Sequence, residues 1–352
     1  MGINPGWFRS YLSNRQQLVS VDGISSDFEE ITCGVPQGSL LGPLLYLCYS
    51  NDMVCSVHNK LLLYADDSVI LVSDKDPSVV SHELSKDLQS CNHWLIDNQL
   101  SLHVGKTECT LFGSHVKLKR VSDFNINYNG QVICSQDSIN YLGITLDQTL
   151  SGDNMVDVLV KKVIGRLKFL YRHSNYLNQT LRKNLCAALI QCHLDYCCSA
   201  WFVGISTRAR HKLQITQNKI VRFILNLSPR THIDQLTRNS IKLLNSQDRA
   251  KQLRLNHVFN IFNDTGAPYL KNNFIRTSSA HTHRTRSSNF NFVVPRVKGI
   301  AYKSFYYNAI LDWNALPPQI QSINNRMAFK KAVKKQLADS ALKQESAEFI
   351  RM

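Results

Sequence analysis

The hydrophobic pattern changes its period near residue 153, and this change constrains the fold more than any other feature of the chain. Before residue 153, short apolar runs are bounded by Gly, Pro, Asn and Asp, as in β-strands joined by turns. After it, apolar residues recur at helical spacing over 156–171, 179–201 and 210–227, which predicts amphipathic helices with basic polar faces. Strands followed by helices predict an α+β fold.

A tight hairpin is the clearest local prediction in the front part of the chain. Apolar strands at 61–64 and 68–72 flank Ala65-Asp66-Asp67, so two adjacent carboxylates would stand at the hairpin tip. Asp76-Pro77 then begins a helix whose apolar residues share one face and should cover the sheet. Those apolar residues are Val80, Leu84, Leu88, Cys91 and Leu95.

Several other elements are predicted along the chain from local patterns. In the first 150 residues they are a helix over 7–12, a strand over 18–23, a buried helix over 40–49 with Ser39 as N-cap, and strands over 108–112, 124–128 and 139–146. In the last part they are a flexible basic segment over 271–300 and a basic amphipathic helix over 326–342. Lys330, Lys331, Lys334 and Lys335 of that helix read as a solvated helix face, with a localisation signal as the alternative.

Charge divides the chain into two unlike parts. Residues 1–152 contain 9 Lys and Arg against 16 Asp and Glu, a balance of −7, and residues 153–352 contain 32 against 10, a balance of +22. A basic excess favours polyanions such as nucleic acid, although an anionic membrane surface or plain solubility also explains it. No apolar run is long enough to span a membrane, and the N-terminus lacks the layout of a signal peptide, so we expect an intracellular chain without stable membrane association. The sequence is also compatible with a location in the nucleus.

Two motifs carry the candidate chemistry. In Tyr64-Ala65-Asp66-Asp67, paired carboxylates on a hairpin suit oxygen-binding cations such as Mg²⁺, and two such ions can stabilise a phosphoryl transfer. A solvated turn explains the same pair, because Asp tolerates turn conformations. In Gly34-Val35-Pro36-Gln37-Gly38-Ser39, the glycines let the backbone approach a ligand, with Gln37 able to donate and accept hydrogen bonds. Alone, the second motif also reads as an ordinary loop.

In this order and spacing, the two motifs resemble the palm of a LINE-type reverse transcriptase, encoded by non-LTR retrotransposons. The resemblance extends over nearly the whole chain. The matching blocks are Trp7-Phe8-x-Ser10-Tyr11-Leu12-x-x-Arg15-x-Gln17, GVPQGSLLGPLLY, YADD, Leu100 to Phe112, Tyr141 to Asp147, His193-Leu194-Asp195-Tyr196 with Trp201, and Trp313-Asn314-x-Leu316-Pro317 with Phe329-Lys330-Lys331.

The resemblance implies a function and a role for each matching residue. The function is RNA-directed DNA synthesis, in which two Mg²⁺ ions help a primer 3′-hydroxyl attack a deoxynucleotide on an RNA template. Asp66 would be the primary metal ligand with Asp67 beside it, next to Tyr64, and Lys106 would supply positive charge or a proton near the leaving pyrophosphate. Pro36, Gln37 and Gly38 would shape the pocket for template base and nucleotide. Tyr141 and Gly143 lie in the hairpin that grips the primer end.

The resemblance also implies three regions: a partial palm over 1–150, a basic helical thumb over 151–230 and a C-terminal helical region over 231–352. The chain departs from the family in two ways. His103 stands where the family usually has Asn, and the family's first aspartate motif, fingers and endonuclease have no match in these residues. The sequence therefore leaves three interpretations: a polymerase that is inactive alone, a non-catalytic nucleic-acid-binding remnant, and an incomplete gene model of an active enzyme.

Overall fold

The protein combines helices with two-stranded antiparallel sheets, a mixture that agrees with the α+β prediction. The structure, a computed structural model, describes residues 5–263, 266–280 and 290–350. The strands are β1 (Arg15–Gln17), β2 (Ser20–Val21), β3 (Ile24–Ser25), β4 (Glu29–Ile31), β5 (Lys60–Tyr64), β6 (Asp67–Leu71), β7 (Asn125–Tyr128), β8 (Gln131–Cys134), β9 (Ser138–Tyr141) and β10 (Ile144–Asp147). Their pairs are β1 with β4, β2 with β3, β5 with β6, β7 with β8, and β9 with β10.

Helices account for most of the rest of the described chain. They are α1 (Pro5–Leu12), α2 (Gly42–Ser50), α3 (Pro77–Asp97), α4 (His115–Leu118), α5 (Asp153–Arg172), α6 (Gln179–Cys186), α7 (Cys192–Asp195), α8 (Cys198–Trp201), α9 (Thr207–Leu225), α10 (Gln235–Ser240), α11 (Ser246–Phe262), α12 (Thr277–Ala280), α13 (Phe305–Asn314), α14 (Pro318–Gln321) and α15 (Arg326–Ile350). Short 3₁₀ turns and one π-helical turn join some of them. Within the described ranges, none of the helices is both long enough and apolar enough to cross a bilayer.

Contacts divide the chain into a first unit, residues 1–136, and a second unit, residues 137–352. The first unit has one hydrophobic cluster between α3 and the β7–β8 hairpin and another between α3 and the β5–β6 hairpin. Leu61 of β5 is buried with Met53, Cys91 and Leu95, and the Asp76 side chain caps α3 by accepting a hydrogen bond from the Ser78 backbone N–H. The predicted hairpin and covering helix are therefore both present. The division into palm, thumb and C-terminal region remains a prediction.

Two predictions in the first unit are wrong. The helix over 40–49 was expected to be buried, but Leu40, Leu44 and Leu47 are 99%, 55% and 52% exposed. A short helix that is apolar on all sides does not show in its sequence which face packs inward. Its burial therefore depends on neighbouring elements that the apolar run does not specify. Its N-cap is Leu41 rather than Ser39. The strand expected over 108–112 is reduced to one bridge between Cys109 and Ser135.

In the second unit, helices enclose three hydrophobic clusters among the described residues. Val163 of α5 and Val221 of α9 are fully buried together with Ile190. Farther along the chain, Phe259 of α11 stacks on Phe329 of α15 with ring centres 4.5 Å apart. The long apolar segments of this unit therefore form interhelical cores, as their periodicity predicts.

Two predicted elements of the second unit are broken into smaller ones. The strand over 139–146 is the β9–β10 hairpin, because Leu142 and Gly143 both have positive φ and turn the chain. The helix over 179–201 is interrupted by a π-helical turn, Ala187–Gln191, and by Cys197 in the left-handed region at φ 50. Hydrophobic periodicity does not predict such local changes of backbone conformation.

The segment over 271–300 is described only in part. Phe274 and Phe292 are buried in the core beside α11 and α13, and the Arg276 guanidinium lies 4.5 Å from the Phe292 ring centre. These residues contribute to the packed structure of the second unit. Residues 281–289, which fall within the predicted flexible segment, lie outside the described residues.

Asp147 closes the connection between β10 and α5. Its carboxylate accepts hydrogen bonds from the backbone N–H groups of Thr149 (3.1 Å), Ser151 (2.9 Å) and Gly152 (2.8 Å), and from the hydroxyls of Thr149 and Ser151. Burial alone would raise the pKa of Asp147, but these hydrogen bonds outweigh it and hold the pKa below its ordinary value. The ionised side chain therefore stabilises this connection.

We expect Asp147→Asn to lower the free energy of unfolding by about 2–3 kcal/mol near neutral pH, because an amide oxygen cannot accept the bonds that two carboxylate oxygens accept. The folded pKa lies below the unfolded value, about 3.9. The stability contribution is therefore present above that value and is lost as pH falls through the folded pKa. Urea unfolding at several pH values should show that the difference in unfolding free energy between wild type and Asp147→Asn becomes smaller in acid. The control Asp339→Asn, on the exposed side of α15, should not change the free energy of unfolding at any of these pH values.

Candidate active site

The Tyr64-Ala65-Asp66-Asp67 motif lies at the end of the β5–β6 hairpin. Tyr64 is paired with Asp67, so Ala65 and Asp66 form a two-residue turn. The Tyr64 side chain is 63% exposed, and Asp66 and Asp67 are exposed as well. Asp66 is thus in the turn, whereas Asp67 is the first residue of β6. Both carboxylates are accessible to a ligand.

The turn contains a residue in an unfavourable conformation. Ala65 has φ 52, in the left-handed region, where a side chain costs about 1–2 kcal/mol and Gly or Asn is usual. The short connection between paired Tyr64 and Asp67 demands this conformation. The strain is located directly beside Asp66.

Asp87 of α3 anchors the chain that enters the hairpin. It is only 1% exposed, and its two carboxylate oxygens accept hydrogen bonds from the backbone N–H groups of His58 (2.9 Å) and Asn59 (3.1 Å). These residues immediately precede β5, so the buried carboxylate fixes the start of the strand. Asp87 is not among the residues predicted from the sequence, although a carboxylate between Leu84 and Leu88 on an apolar helix face was the available signal.

The Pro36-Gln37-Gly38 loop is held at both ends. At its start, the Arg15 guanidinium donates to the carbonyl oxygens of Cys33 (3.0 Å) and Gly34 (2.6 Å). At its end, the Ser39 hydroxyl donates to the Pro36 carbonyl at 2.8 Å and accepts from the Gly42 backbone N–H at 3.0 Å. Gln37 and Gly38 are exposed between these anchors. The loop therefore presents an amide side chain from a fixed backbone.

Lys106 ends a short 3₁₀ turn, Val104–Lys106, which follows α3. Its side chain is exposed. The His103 carbonyl accepts hydrogen bonds from the Lys106 backbone N–H at 3.0 Å and from the Thr107 hydroxyl at 3.2 Å. The main chain of His103 thus shapes the turn that carries the lysine.

Tyr141 and Gly143 lie in the second unit, at the turn of the β9–β10 hairpin. Leu142 and Gly143 have φ 47 and φ 75, and the Leu142 carbonyl accepts a hydrogen bond from the Tyr196 hydroxyl at 2.6 Å. The Trp201 indole N–H in turn donates to the Tyr196 carbonyl at 2.9 Å. This anchoring of the turn by Tyr196 was not foreseen from the sequence.

The site residues of the first unit are held by separate local anchors. Among the described residues, no hydrogen bond or ion pair joins the Pro36-Gln37-Gly38 loop or Lys106 to the hairpin that carries Asp66. Within the same part of the chain, no group of three or more His, Cys, Asp or Glu side chains is arranged to hold a metal ion. Asp66 and Asp67 provide oxygen ligands of the kind that Mg²⁺ prefers, and Mg²⁺ commonly takes one or two carboxylates with waters and substrate phosphates as its other ligands.

Comparison with known proteins agrees with the motifs. The family model for reverse transcriptase (RNA-dependent DNA polymerase) matches residues 1–146, a range that includes both motifs, Lys106 and the β9–β10 turn. The matched range therefore contains all the candidate catalytic, metal-binding and substrate-binding residues.

The chain is also similar to polymerases of insect mobile elements. It is 28% identical over 228 residues to the RNA-directed DNA polymerase from mobile element jockey of Drosophila melanogaster, covering 61% of this chain and 24% of the relative. It is 28% identical over 233 residues to the probable RNA-directed DNA polymerase from transposon BS of the same species, covering 62% and 25%. The chain thus spans about a quarter of the length of these relatives. Residues 1–146 therefore match the reverse transcriptase family model, and the chain is similar to the LINE-type reverse transcriptases of non-LTR retrotransposons.

Proposed function

We propose that this chain is the palm remainder, thumb and C-terminal region of an RNA-directed DNA polymerase. The reaction would extend a DNA primer by attack of its 3′-hydroxyl on a deoxynucleotide paired with an RNA template. The observation that carries the proposal is the exposed hairpin turn with Asp66 and Asp67, located within the stretch that matches the family.

Asp66 and Asp67 would hold Mg²⁺, with waters and the nucleotide phosphates as further ligands. When bound, the metal ions would stabilise the attacking and leaving oxygens. Lys106 would place positive charge or a proton near the pyrophosphate. Each of these groups is exposed in the first unit, as a residue that contacts substrate must be.

The remaining residues would position the substrates. Pro36, Gln37 and Gly38 would line the pocket for the template base and the nucleotide, on a loop anchored at both ends. Tyr64 would lie beside the metal-binding turn. Tyr141 and Gly143 would contact the primer end from a hairpin turn that Tyr196 holds.

The basic helices of the second unit would bind nucleic acid along its phosphates. In α5, the buried residues include Val156, Val163 and Leu170, whereas Lys161, Lys168 and other basic residues are exposed. This amphipathic arrangement presents positive charge on the outer face of a helix that packs against α9. The palm over 1–150, the thumb over 151–230 and the C-terminal region over 231–352 stay part of the proposal.

A second candidate function is nucleic-acid binding without catalysis. The observation that favours it is the limited ligand set: among the described residues, Asp66 and Asp67 have no third metal-binding side chain grouped with them. Two-ion sites hold their ions between several ligands that act as a unit. In this alternative the basic second unit would retain its affinity while the hairpin has no catalytic role.

We expect the purified 352-residue polypeptide not to extend a primer on an RNA template with either Mg²⁺ or Mn²⁺, because Asp66 and Asp67 alone do not complete a two-ion site. Gel-resolved extension of a labelled primer measures this directly. Binding of the same primer-template, followed by fluorescence anisotropy, serves as the positive control for folded protein. Robust extension by the wild-type polypeptide that disappears in Asp66→Asn would contradict the expectation.

A further inference from the structure

Helix α5 has a glycine on its outer face that packing does not explain. Gly165 stands in the middle of the helix and is exposed, and a Cβ added there would meet no neighbouring atom within 4 Å. A glycine inside a helix makes it less stable than an alanine would, because glycine loses more conformational freedom on folding. The absence of a side chain instead lets another molecule come close to the backbone of α5.

An exposed aromatic pair follows this glycine on the same side of the helix. Phe169 lies four residues after Gly165, so the two positions are neighbours on the helix surface, and its side chain is 55% exposed. The His173 ring, a further four residues along, packs beside it with ring centres 5.0 Å apart, and His173 is exposed as well. We call Gly165, Phe169 and His173 the α5 strip.

The other aromatic residue of α5 differs from Phe169 in its packing. The Tyr171 ring lies edge to face against Phe223 of α9, with ring centres 4.8 Å apart, and Phe223 is buried. The position of Tyr171 at the edge of the core therefore explains why it is partly exposed. Phe169 belongs to none of the hydrophobic clusters of the described residues. Its contact with His173 leaves most of its ring open to a ligand.

Positive charge surrounds the α5 strip. Lys162, Lys168 and Arg172 are exposed on the same helix, and none of them forms a salt bridge among the described residues. The acidic residues of α5 lie near its start, where Asp157 is paired with Lys212 of α9. Charged side chains are depleted at the centres of protein interfaces, whereas cations beside a ring attract an anionic partner. The charges therefore favour a polyanion over another protein surface.

The end of the strip is held by a buried arginine. Arg182 of α6 donates hydrogen bonds to the carbonyl oxygens of Ser174 at 2.9 Å and Leu177 at 3.0 Å, and it is only 8% exposed. It thereby fixes the turn that follows His173. Tyr176 in this turn is 85% exposed and adds a further ring beyond the strip. Because the backbone is already fixed, little conformational freedom is lost when a ligand contacts these rings.

We propose that the α5 strip is a stacking site for single-stranded nucleic acid. One base would lie on the Phe169 ring, and the adjoining sugar-phosphate backbone would pass close to Gly165. Every base has a flat π-face, so an exposed ring among cations suits a strand of any sequence. A duplex keeps its bases stacked on one another, which favours a single strand here. The choice of nucleic acid rests on the proposed function, but this contact needs no catalytic step.

The first test removes the flat ring from the full 352-residue chain. Phe169→Leu keeps an apolar, helix-forming residue, and we expect it to lower the affinity for a labelled single-stranded oligouridine by roughly 5- to 100-fold. Stacking releases no counterions, so the slope of log affinity against log salt should stay at the wild-type value. Fluorescence anisotropy at several salt concentrations measures both quantities. Phe28→Leu, the same change at a ring that is 66% exposed in the first unit, should bind like wild type.

The second test fills the open space on the helix. Gly165→Leu changes no charge and introduces a good helix former, so we expect the protein to unfold at the wild-type temperature or about 2–4 °C above it. Its affinity for the same RNA should nevertheless fall by about 5-fold or more, as the loss of a stacked base requires. Ala347→Leu enlarges an exposed residue of α15 and should leave the affinity unchanged. Weaker binding by a protein of equal or greater stability supports a ligand site.

A phosphate-contact variant separates failure of this proposal from failure of the proposed function. Lys168→Gln should reduce the single-strand salt slope by about 0.7. If it does so while Phe169→Leu and Gly165→Leu bind like wild type, the strip is not a stacking site, and nucleic-acid binding by the basic helices stands. If the wild-type chain binds no RNA, both are overturned.

Two further outcomes would also overturn the proposal. A lower unfolding temperature in both Phe169→Leu and Gly165→Leu would assign the strip a structural role. An equally large loss of affinity for double-stranded RNA in both variants would assign the strip to a duplex backbone and reject stacking of a single strand.

Discussion

Asp66→Asn should abolish primer extension in a chimera that joins this chain to the upstream fingers and first palm motif of a close relative. The amide removes the anionic oxygen that would bind the metal, and groups that act as a unit lose nearly all catalysis together, by roughly 10⁴-fold or more. The premise is that the hairpin turn, the anchored Pro36-Gln37-Gly38 loop and Lys106 are preformed, so the added motif completes the site. Single-turnover extension on an RNA template measures the effect.

Two further chimeras make this result specific. Lys106→Ala should slow extension by about 10²- to 10⁴-fold, the range of a general acid, without abolishing it. Asp97→Asn, the same chemical change on an exposed carboxylate at the end of α3, should leave the rate unchanged. If the chimera that keeps Asp66 folds and binds primer-template yet extends nothing, this palm is inactive for reasons other than the absence of the added motif.

The parts of the site that were predictable from sequence depend on local interactions. Two apolar runs around Ala65-Asp66-Asp67 can form little other than a hairpin, and Asp76-Pro77 starts a helix through its own cap. Both signals act within a few residues. The α+β class and the hairpin-covering helix follow from such short-range preferences.

The parts that sequence did not reveal depend on partners far along the chain. Asp87 acts through backbone N–H groups 29 and 28 residues away, and Tyr196 reaches a carbonyl 54 residues away. Composition and periodicity describe faces of single elements, so they do not identify side chains that meet through tertiary packing.

Residues 137–352 should hold most of the affinity of this protein for nucleic acid, with little sequence preference and a steep dependence on salt. The first unit carries 9 Lys and Arg against 14 Asp and Glu, and the second 32 against 12, which are net charges of −5 and +20. If the second unit neutralises about six phosphates on a duplex, its affinity should fall by about 10³-fold between 50 and 200 mM salt. Fluorescence anisotropy on fragments 1–136 and 137–352 measures both quantities.

The cut at 136/137 keeps the β9–β10 hairpin with α5, to which Asp147 connects it. A charge variant of the second fragment tests whether α5 contributes, by changing its exposed Lys161, Lys162, Lys168 and Arg172 to Gln together. Four lost phosphate contacts should reduce the duplex salt slope by about 3.6. The fold should persist, because the substitutions do not touch the buried face of α5. Tight binding by fragment 1–136, or salt-insensitive binding by fragment 137–352, would contradict a backbone-directed basic unit and would instead locate recognition near the Asp66 hairpin.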